Sequence, residues 1–153
     1  MNKIIYRSVD YNNEKELLFI ADTDTQIPAK FDLEFPTDEK MILDRLKHFK
    51  EKFNQEDFFQ VALDGQKIVG FHLIKKHPHF NNKIVGNVYT LWVSNEYRRS
   101  GIAKELKKQG EDWAKKSNLD HLYTWVHVDN SKMLNLNKKL GYEPTNIKMV
   151  KKI

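Results

Sequence analysis

The spacing of apolar and polar positions changes character several times along the chain. Ile4-Ile5-Tyr6 is a short β-prone run that predicts a first strand. Asn12 to Ala21 reads as a helix, with Leu17, Leu18, Phe19 and Ile20 supplying apolar surface. Thr23 to Pro36, with prolines at Pro28 and Pro36, predicts a loop. Ile42, Leu46, Phe49 and Phe53 then recur at i, i+4, i+7 and i+11, the stripe of an amphipathic helix that Thr37 or Asp38 can cap. Near Phe58 the helical spacing gives way to strand runs. Phe58 to Leu63 and Lys67 to Ile74 predict two strands, and Asp64-Gly65 between them is a hairpin signal. Asn81-Asn82 predicts another turn, and Val88 to Val93 an antiparallel strand after it. A helix follows from Gly101 to about Ser117, with Asn118 as its C-cap, then a strand from His121 to Val128. Asp129 or Asn130 can cap a short helix carrying Met133, Leu136 and Leu140, and Gly141 suits its C′ position. A final strand is expected from Tyr142 onward, with Ile147, Met149 and Val150 as its apolar residues.

The element order is therefore β-α-α-β-β-β-α-β-α-β. It contains no internal repeat or interdomain linker and predicts one mixed α/β domain over residues 1–153. The unit from Val88 to Val128 reads as a right-handed parallel crossover, whose two strands diverge around whatever its connecting turn binds.

That turn changes the picture most. Arg98-Arg99-Ser100-Gly101 lies between the strand Leu91-Trp92-Val93 and a helix marked by Ile102, Leu106 and Trp113. A helix N-terminus presents unpaired N–H groups and a partial positive charge, so it attracts anions. Two arginines there oppose the usual preference for acids, which points to a bound anion such as a phosphate. The charge balance agrees. Residues 1–60 hold nine Lys/Arg against thirteen Asp/Glu, and the remainder holds seventeen against eight. An acidic first part and a basic second part suit a cationic and an anionic ligand respectively.

Other classes are excluded or disfavoured. No stretch of about 18 consecutive apolar residues exists, so no transmembrane helix is expected, and the N-terminus lacks a signal peptide's apolar region. The chain has no cysteine, which excludes disulfides, thiolate metal sites and a cysteine-bound acyl intermediate, and fits a cytoplasmic location. His77-Pro78-His79 lacks a third ligand at suitable spacing, so no metal is expected. Basic and aromatic residues do not interleave as in nucleic-acid-binding modules.

Arg98-Arg99-Ser100-Gly101-Ile102-Ala103, preceded by Leu91-Trp92-Val93 and followed by Asn130 and Lys139-Leu140-Gly141-Tyr142, resembles the GNAT family of N-acetyltransferases. The resemblance is strongest from Val88 to Tyr142. It implies that family's fold, a mixed sheet of six to seven strands flanked by about four helices. It also implies an acetyl-CoA cosubstrate and direct transfer to an amine acceptor. By the resemblance, the cofactor-binding residues are Leu91, Trp92, Val93, Arg98, Arg99, Ser100, Gly101, Ile102, Ala103, Lys104 and Asn130. Backbone groups of Leu91 and Val93 would pair with the pantetheine arm, the backbone of Arg99 to Lys104 would hold the pyrophosphate, and Asn130 would contact the pantetheine arm or thioester end. Val93 N–H would serve the oxyanion.

The chain departs from the family where protons move. Many members carry a glutamate base on the fourth strand, where Asn87 and Thr90 stand here. Many carry a tyrosine acid seven residues after the asparagine, a position held by Asn137. Tyr89, a histidine such as His72 or His127, or a water relay remain as substitutes, with Tyr89 and Asn137 the named candidates. Trp92, Trp113 and Trp125 are expected in the core or a pocket wall, and Trp92 to point opposite to Leu91 and Val93. Asp22, Asp24, Asp32, Glu34, Asp38 and Glu39 suggest a cationic acceptor: a polyamine, an aminoglycoside-like amine, or a protein N-terminus or lysine. The competing reading is a CoA-binding sensor of the same fold without turnover. Neither a nucleic-acid nor a membrane partner is expected, and a homodimer is left open.

Overall fold

The computed structural model describes residues 3–153. Residues 1 and 2 of the expected 1–153 domain lie outside the described residues. Strands β1 (Ile5–Ser8), β2 (Phe58–Asp64), β3 (Lys67–Pro78), β4 (Ile84–Val93) and β5 (Leu122–Thr124) form one sheet in that spatial order. The first four pair antiparallel, and β5 joins β4 in parallel. The β2–β3 hairpin closes through Gly65-Gln66, because Asp64 and Lys67 are already paired. Gly65, at φ 60°, takes the left-handed position that this short loop requires. Asn81 and Asn82, at φ 73° and 57°, turn the chain into β4.

Helix α1 (Glu14–Gln26) is capped by Asn13, whose side chain accepts from Glu16 N–H at 3.2 Å. It runs past the expected end at Ala21. Leu17, Ile20, Ala21, Asp24 and Thr25 continue one buried stripe, and the Thr25 hydroxyl donates to the Ala21 carbonyl at 2.7 Å. The expected loop begins only after Gln26, with a 3-10 turn at Pro28–Lys30. Helix α2 (Glu39–Lys52) is capped by Asp38, which accepts from Met41 N–H at 2.9 Å. Both helices cover one face of the sheet. Leu17, Ile20, Leu46 and Phe49 meet Phe59, Val61, Phe71 and Leu73 there. Helix α3 (Ile102–Lys116) covers the other face through Ile102 and Leu106 on Ala62 and Val69. Helix α4 (Ser131–Lys139) follows β5, capped by Asn130 and ended by Gly141 at φ 85°.

The sheet differs from the expected one in two places. The strand expected over His121 to Val128 is reduced to three residues, and Trp125, expected in the core or a pocket wall, is 74% exposed. The final strand expected from Tyr142 is not formed among the described residues, so five strands stand where six to seven were expected. A further strand needs an edge to pair with and a face to bury. β5 offers only three residues of edge, and Ile147, Met149 and Val150 alternate or mix with lysines and stay exposed.

Gly70 sets how closely α3 approaches β3. A Cβ at this position would lie 3.0 Å from Ile102 Cγ2 and 3.2 Å from the Trp92 carbonyl. Gly70→Val should therefore lower stability by about 1–3 kcal/mol through overpacking, read as a lower urea midpoint at unchanged m-value.

Candidate active site

The site grows from a defect in the ladder. Leu73 opposes Thr90 and Ile74 opposes Val88, so Tyr89 is an extra residue bulged out of β4. On the other side of β4, Val88 opposite Thr124 is the last pair with β5. From Tyr89 to Val93 the edge facing β5 has no strand partner among the described residues. Ser94 N–H donates to the Val69 carbonyl at 2.9 Å, one step beyond the Gly70–Val93 pair. In an antiparallel ladder this alternation turns the amide groups of Trp92 toward β3 and those of Leu91 and Val93 toward the open edge. The Trp92 ring lies 5.2 Å from Phe71, stacked, and 6.1 Å from Phe19, edge-on. It sits on the α1 face, while Leu91 and Val93 pack with the α3 cluster, as the strand alternation requires.

His72 pins the bulge. Its Nδ1–H donates to the Thr90 carbonyl at 2.9 Å; a carbonyl only accepts, which fixes the tautomer. The ring is 1% exposed, and burial drives its pKa down to about 3, with the nearby Lys107 ammonium adding to the shift. The imidazole is therefore neutral and structural. Lys107 itself is buried, its pKa lowered to about 8 by desolvation, and its Nζ lies 4.5 Å from the Tyr142 ring centroid. This contact holds the Lys139-Leu140-Gly141-Tyr142 segment against α3.

Beyond β4, a 3-10 turn at Asn95–Tyr97 is tied to the β2–β3 hairpin, because the Tyr97 hydroxyl donates to Asp64 at 2.8 Å. Arg99 (φ 62°) and Gly101 (φ 87°) then bend the chain into α3, and the Ser100 hydroxyl donates to the Tyr97 carbonyl. Gly101 is the N-cap and has no side chain to cap with. The first α-helical bond runs from Glu105 N–H to the Gly101 carbonyl at 3.0 Å, so the amides of Ile102, Ala103 and Lys104 have no helical acceptor. Arg98 and Arg99 are exposed and make no ion pair among the described residues. The open β4 edge thus runs directly into an uncapped, doubly basic helix start.

The remaining candidates are placed less simply. Asn130 Oδ1 caps α4 by accepting from Met133 N–H at 3.2 Å. Asn137 is 5% exposed on α4, and its Oδ1 has no hydrogen-bond partner among the described residues. The Tyr89 ring stacks on His48 of α2 at 5.9 Å and meets Phe53 edge-on at 5.2 Å. His127 stacks on Phe31 at 5.1 Å, so the loop after α1 touches the chain beyond β5. A cavity of about 890 Å³ lies between α1 and the β2–β3 hairpin, lined by Arg7, Glu16, Phe19 and Trp92 among others. None of residues 98–104 lines it. Backbone geometry, not volume, singles out the β4 edge.

One cluster was not legible as a site from spacing. Asp24 of α1 accepts a hydrogen bond from the Thr90 hydroxyl and lies 3.3 Å from Arg45 of α2. The sequence reading placed Asp24 in a loop. Its signal was register: Leu17, Ile20, Ala21 and Asp24 follow i, i+3, i+4, i+7, which puts a carboxylate on a buried stripe.

Comparison with known proteins gives a consistent picture. A family model described as Acetyltransferase (GNAT) family matches residues 22–142. A mycothiol acetyltransferase from Saccharomonospora viridis is 30% identical over 95 residues, covering 60% of this chain and 31% of that protein. The chain thus spans less than a third of the mycothiol acetyltransferase's length. An N-alpha-acetyltransferase from Sulfurisphaera tokodaii is 31% identical over 111 residues, covering 67% of this chain and 64% of that protein. A solved NatC complex bound to Gag peptide and CoA contains a chain 25% identical to this one, with a TM-score of 0.73 over 95% of this chain and 87% of that one.

The His72 assignment predicts an acid-labile fold. The folded state holds His72 neutral down to about pH 3, whereas the unfolded chain protonates near 6.5. Stability contributed by His72 should therefore be full above 6.5 and fall by about 1.4 kcal/mol per pH unit between 6.5 and 3. Urea midpoints measured across pH 4–7 should show this slope, and it should be absent in His72→Gln.

Proposed function

The chain belongs to the acetyltransferase (GNAT) family, and from that premise we propose that it transfers an acetyl group from acetyl-CoA directly to a cationic primary amine. One observation carries the reading: the unpaired β4 edge is continuous with the uncapped start of α3. An extended, amide-bearing arm ending in a pyrophosphate needs these two features in this order. Backbone groups of Leu91 and Val93 would pair with the arm. The free amides of Ile102, Ala103 and Lys104 and the backbone at Arg99 to Gly101 would hold the pyrophosphate. Arg98, Arg99 and Lys104 add positive charge at the same end. Asn130 keeps its Nδ2 donor for the arm, since its Oδ1 is used by the α4 cap. Val93 N–H is the donor for charge developing on the acetyl oxygen.

The α1 side favours a cation. Asp22, Asp32 and Glu34 are exposed around the loop that reaches His127. A peptide α-amine is the first acceptor to test, with spermidine and an aminoglycoside beside it. Without cysteine, no cysteine-bound acyl enzyme can form, and holding both reactants in line is worth roughly 7–11 kcal/mol of barrier.

Thiol release from acetyl-CoA, measured with these three amines, should be amine-dependent. Tight CoA binding with no release for any amine replaces the transferase reading with that of a CoA sensor. Arg98→Glu with Arg99→Glu should weaken CoA binding more than tenfold at 50 mM salt, and less at 500 mM, by calorimetry.

A further inference from the structure

On β4 itself, Asn87 and Thr90 offer no carboxylate beside the bulge. The structure brings a carboxylate to Thr90 from another element. The geometry points to Asp24 of α1 as the group that accepts the proton of the incoming ammonium at the β4 bulge. This rests on the transferase reading above and extends it by naming the residue.

Three observations converge. First, position. Thr90 lies two residues beyond the last β4–β5 pair, at the head of the open edge, and its hydroxyl donates to Asp24 Oδ1. Asp24 thus stands on the α1 face of the same bulge whose backbone lies beside the open edge. Second, unused capacity. A carboxylate offers about four lone-pair sites. Thr90 takes one on Oδ1, and Arg45 approaches Oδ2 from one side at 3.3 Å. Acceptor sites remain on both oxygens. Third, a purely structural reading is expensive. Asp24 is 5% exposed, and it sits on the α1 stripe that packs Leu17 and Ile20 into the core with Phe49 and Leu73. A buried carboxylate adds little net stability over an apolar residue of similar volume.

The charges around it are defined. Arg45 and His48 face Asp24 from α2, and Thr90 faces it from β4. Burial raises the Asp24 pKa above the usual carboxylate value, while Arg45, Thr90 and His48 partly oppose the rise. His48 is held below its ordinary value by burial and by Arg45, Lys75 and Lys52, so its ring stays neutral near pH 7. Burial makes the carboxylate more basic, which suits proton uptake.

The step balances. The acceptor ammonium gives one proton to the Asp24 carboxylate, directly or through one water. The freed nitrogen lone pair forms the C–N bond to the acetyl carbon. The C–S bond breaks, and CoA leaves as thiolate, which takes the second proton shed by nitrogen as the amide forms. Asp24 then returns its proton to solvent.

The test uses the full chain with acetyl-CoA and whichever of the three amines turns over best. Asp24→Asn should reduce kcat/KM at pH 7.5 by 100-fold or more while leaving CoA affinity within twofold. The deficit should shrink about tenfold per pH unit toward the amine's own pKa, because solvent then performs the deprotonation. Asp24→Glu should recover part of the rate. Thr90→Val keeps the carboxylate but removes the bond to its charged form, so the acid limb of kcat/KM should move to higher pH. A deficit in Asp24→Asn that is equal at every pH, or an unmoved acid limb in Thr90→Val, overturns the proposal. If Asp24→Asn fails to fold or bind CoA, the Thr90→Val limb decides alone. A wild type that binds CoA but acetylates none of the amines overturns the transferase reading, and Asp24 with it.

Discussion

Everything at the site depends on one hydrogen bond between neighbouring strands. A bulge disturbs the ladder around it, and a buried carbonyl without a donor costs about 1–3 kcal/mol. Here His72 supplies the donor to Thr90, from a ring so buried that it cannot carry charge at neutral pH. With that bond made, Tyr89 can stand outside the β3–β4 register. The β4–β5 pairing ends at Val88, and the five residues of β4 beyond it have no strand partner on that edge among the described residues. Gly70 and Gly110 allow α3 to lie close against β3. A Cβ at Gly110 would lie 3.2 Å from His72 Nε2. The bulge, its pin and the helix seat are one packing unit.

The sequence made part of this legible. The basic, glycine-bearing turn was readable because a helix start with arginines and no acidic cap breaks the usual preference. The hairpin, both α2 and α3, and the parallel return to β5 were readable from period and turn chemistry. Asp38, Asn130 and Gly141 took the cap positions that their residue types favour. The errors have physical causes. Residues after Thr124 have β-prone composition, but strand formation needs a partner edge, and the pairing with β4 ends at Val88 opposite Thr124. Tyr142 onward met the same difficulty: local propensity without a ladder to join. α1 was cut short because Thr23-Asp24-Thr25 reads as polar loop, whereas Asp24 and Thr25 are both buried and bonded. Polar residues inside a stripe look like its end until their partners are known.

Side-chain alternation explains why the two charge regimes stay separate. Along β4, Leu91 and Val93 face the α3 cluster, while Trp92 packs with Phe71 and Phe19 under α1. Exposed Arg98 and Arg99 stand just before the helix on the first face, and exposed Asp22 lies near the end of the helix on the second. A sheet with unlike helices on its two faces therefore presents a cationic surface and an anionic one across a single strand.

On the proposed reading, this arrangement constrains how the reactants meet. A cosubstrate that pairs with the β4 edge and anchors its phosphates at α3 has its position set by backbone, so it tolerates side-chain change along the strand. The proton acceptor is under no such constraint. It needs only to reach the bulge, and any element packed over that point can deliver it. In this chain β4 offers Thr90 there, a hydroxyl that can orient a carboxylate but cannot replace one. α1 lies directly above and carries Asp24 one turn after Ile20, facing inward. The division of labour follows: the backbone of one strand holds the acyl donor, and a neighbouring helix handles the proton. Such a division also explains why the strand's own sequence was silent about the base.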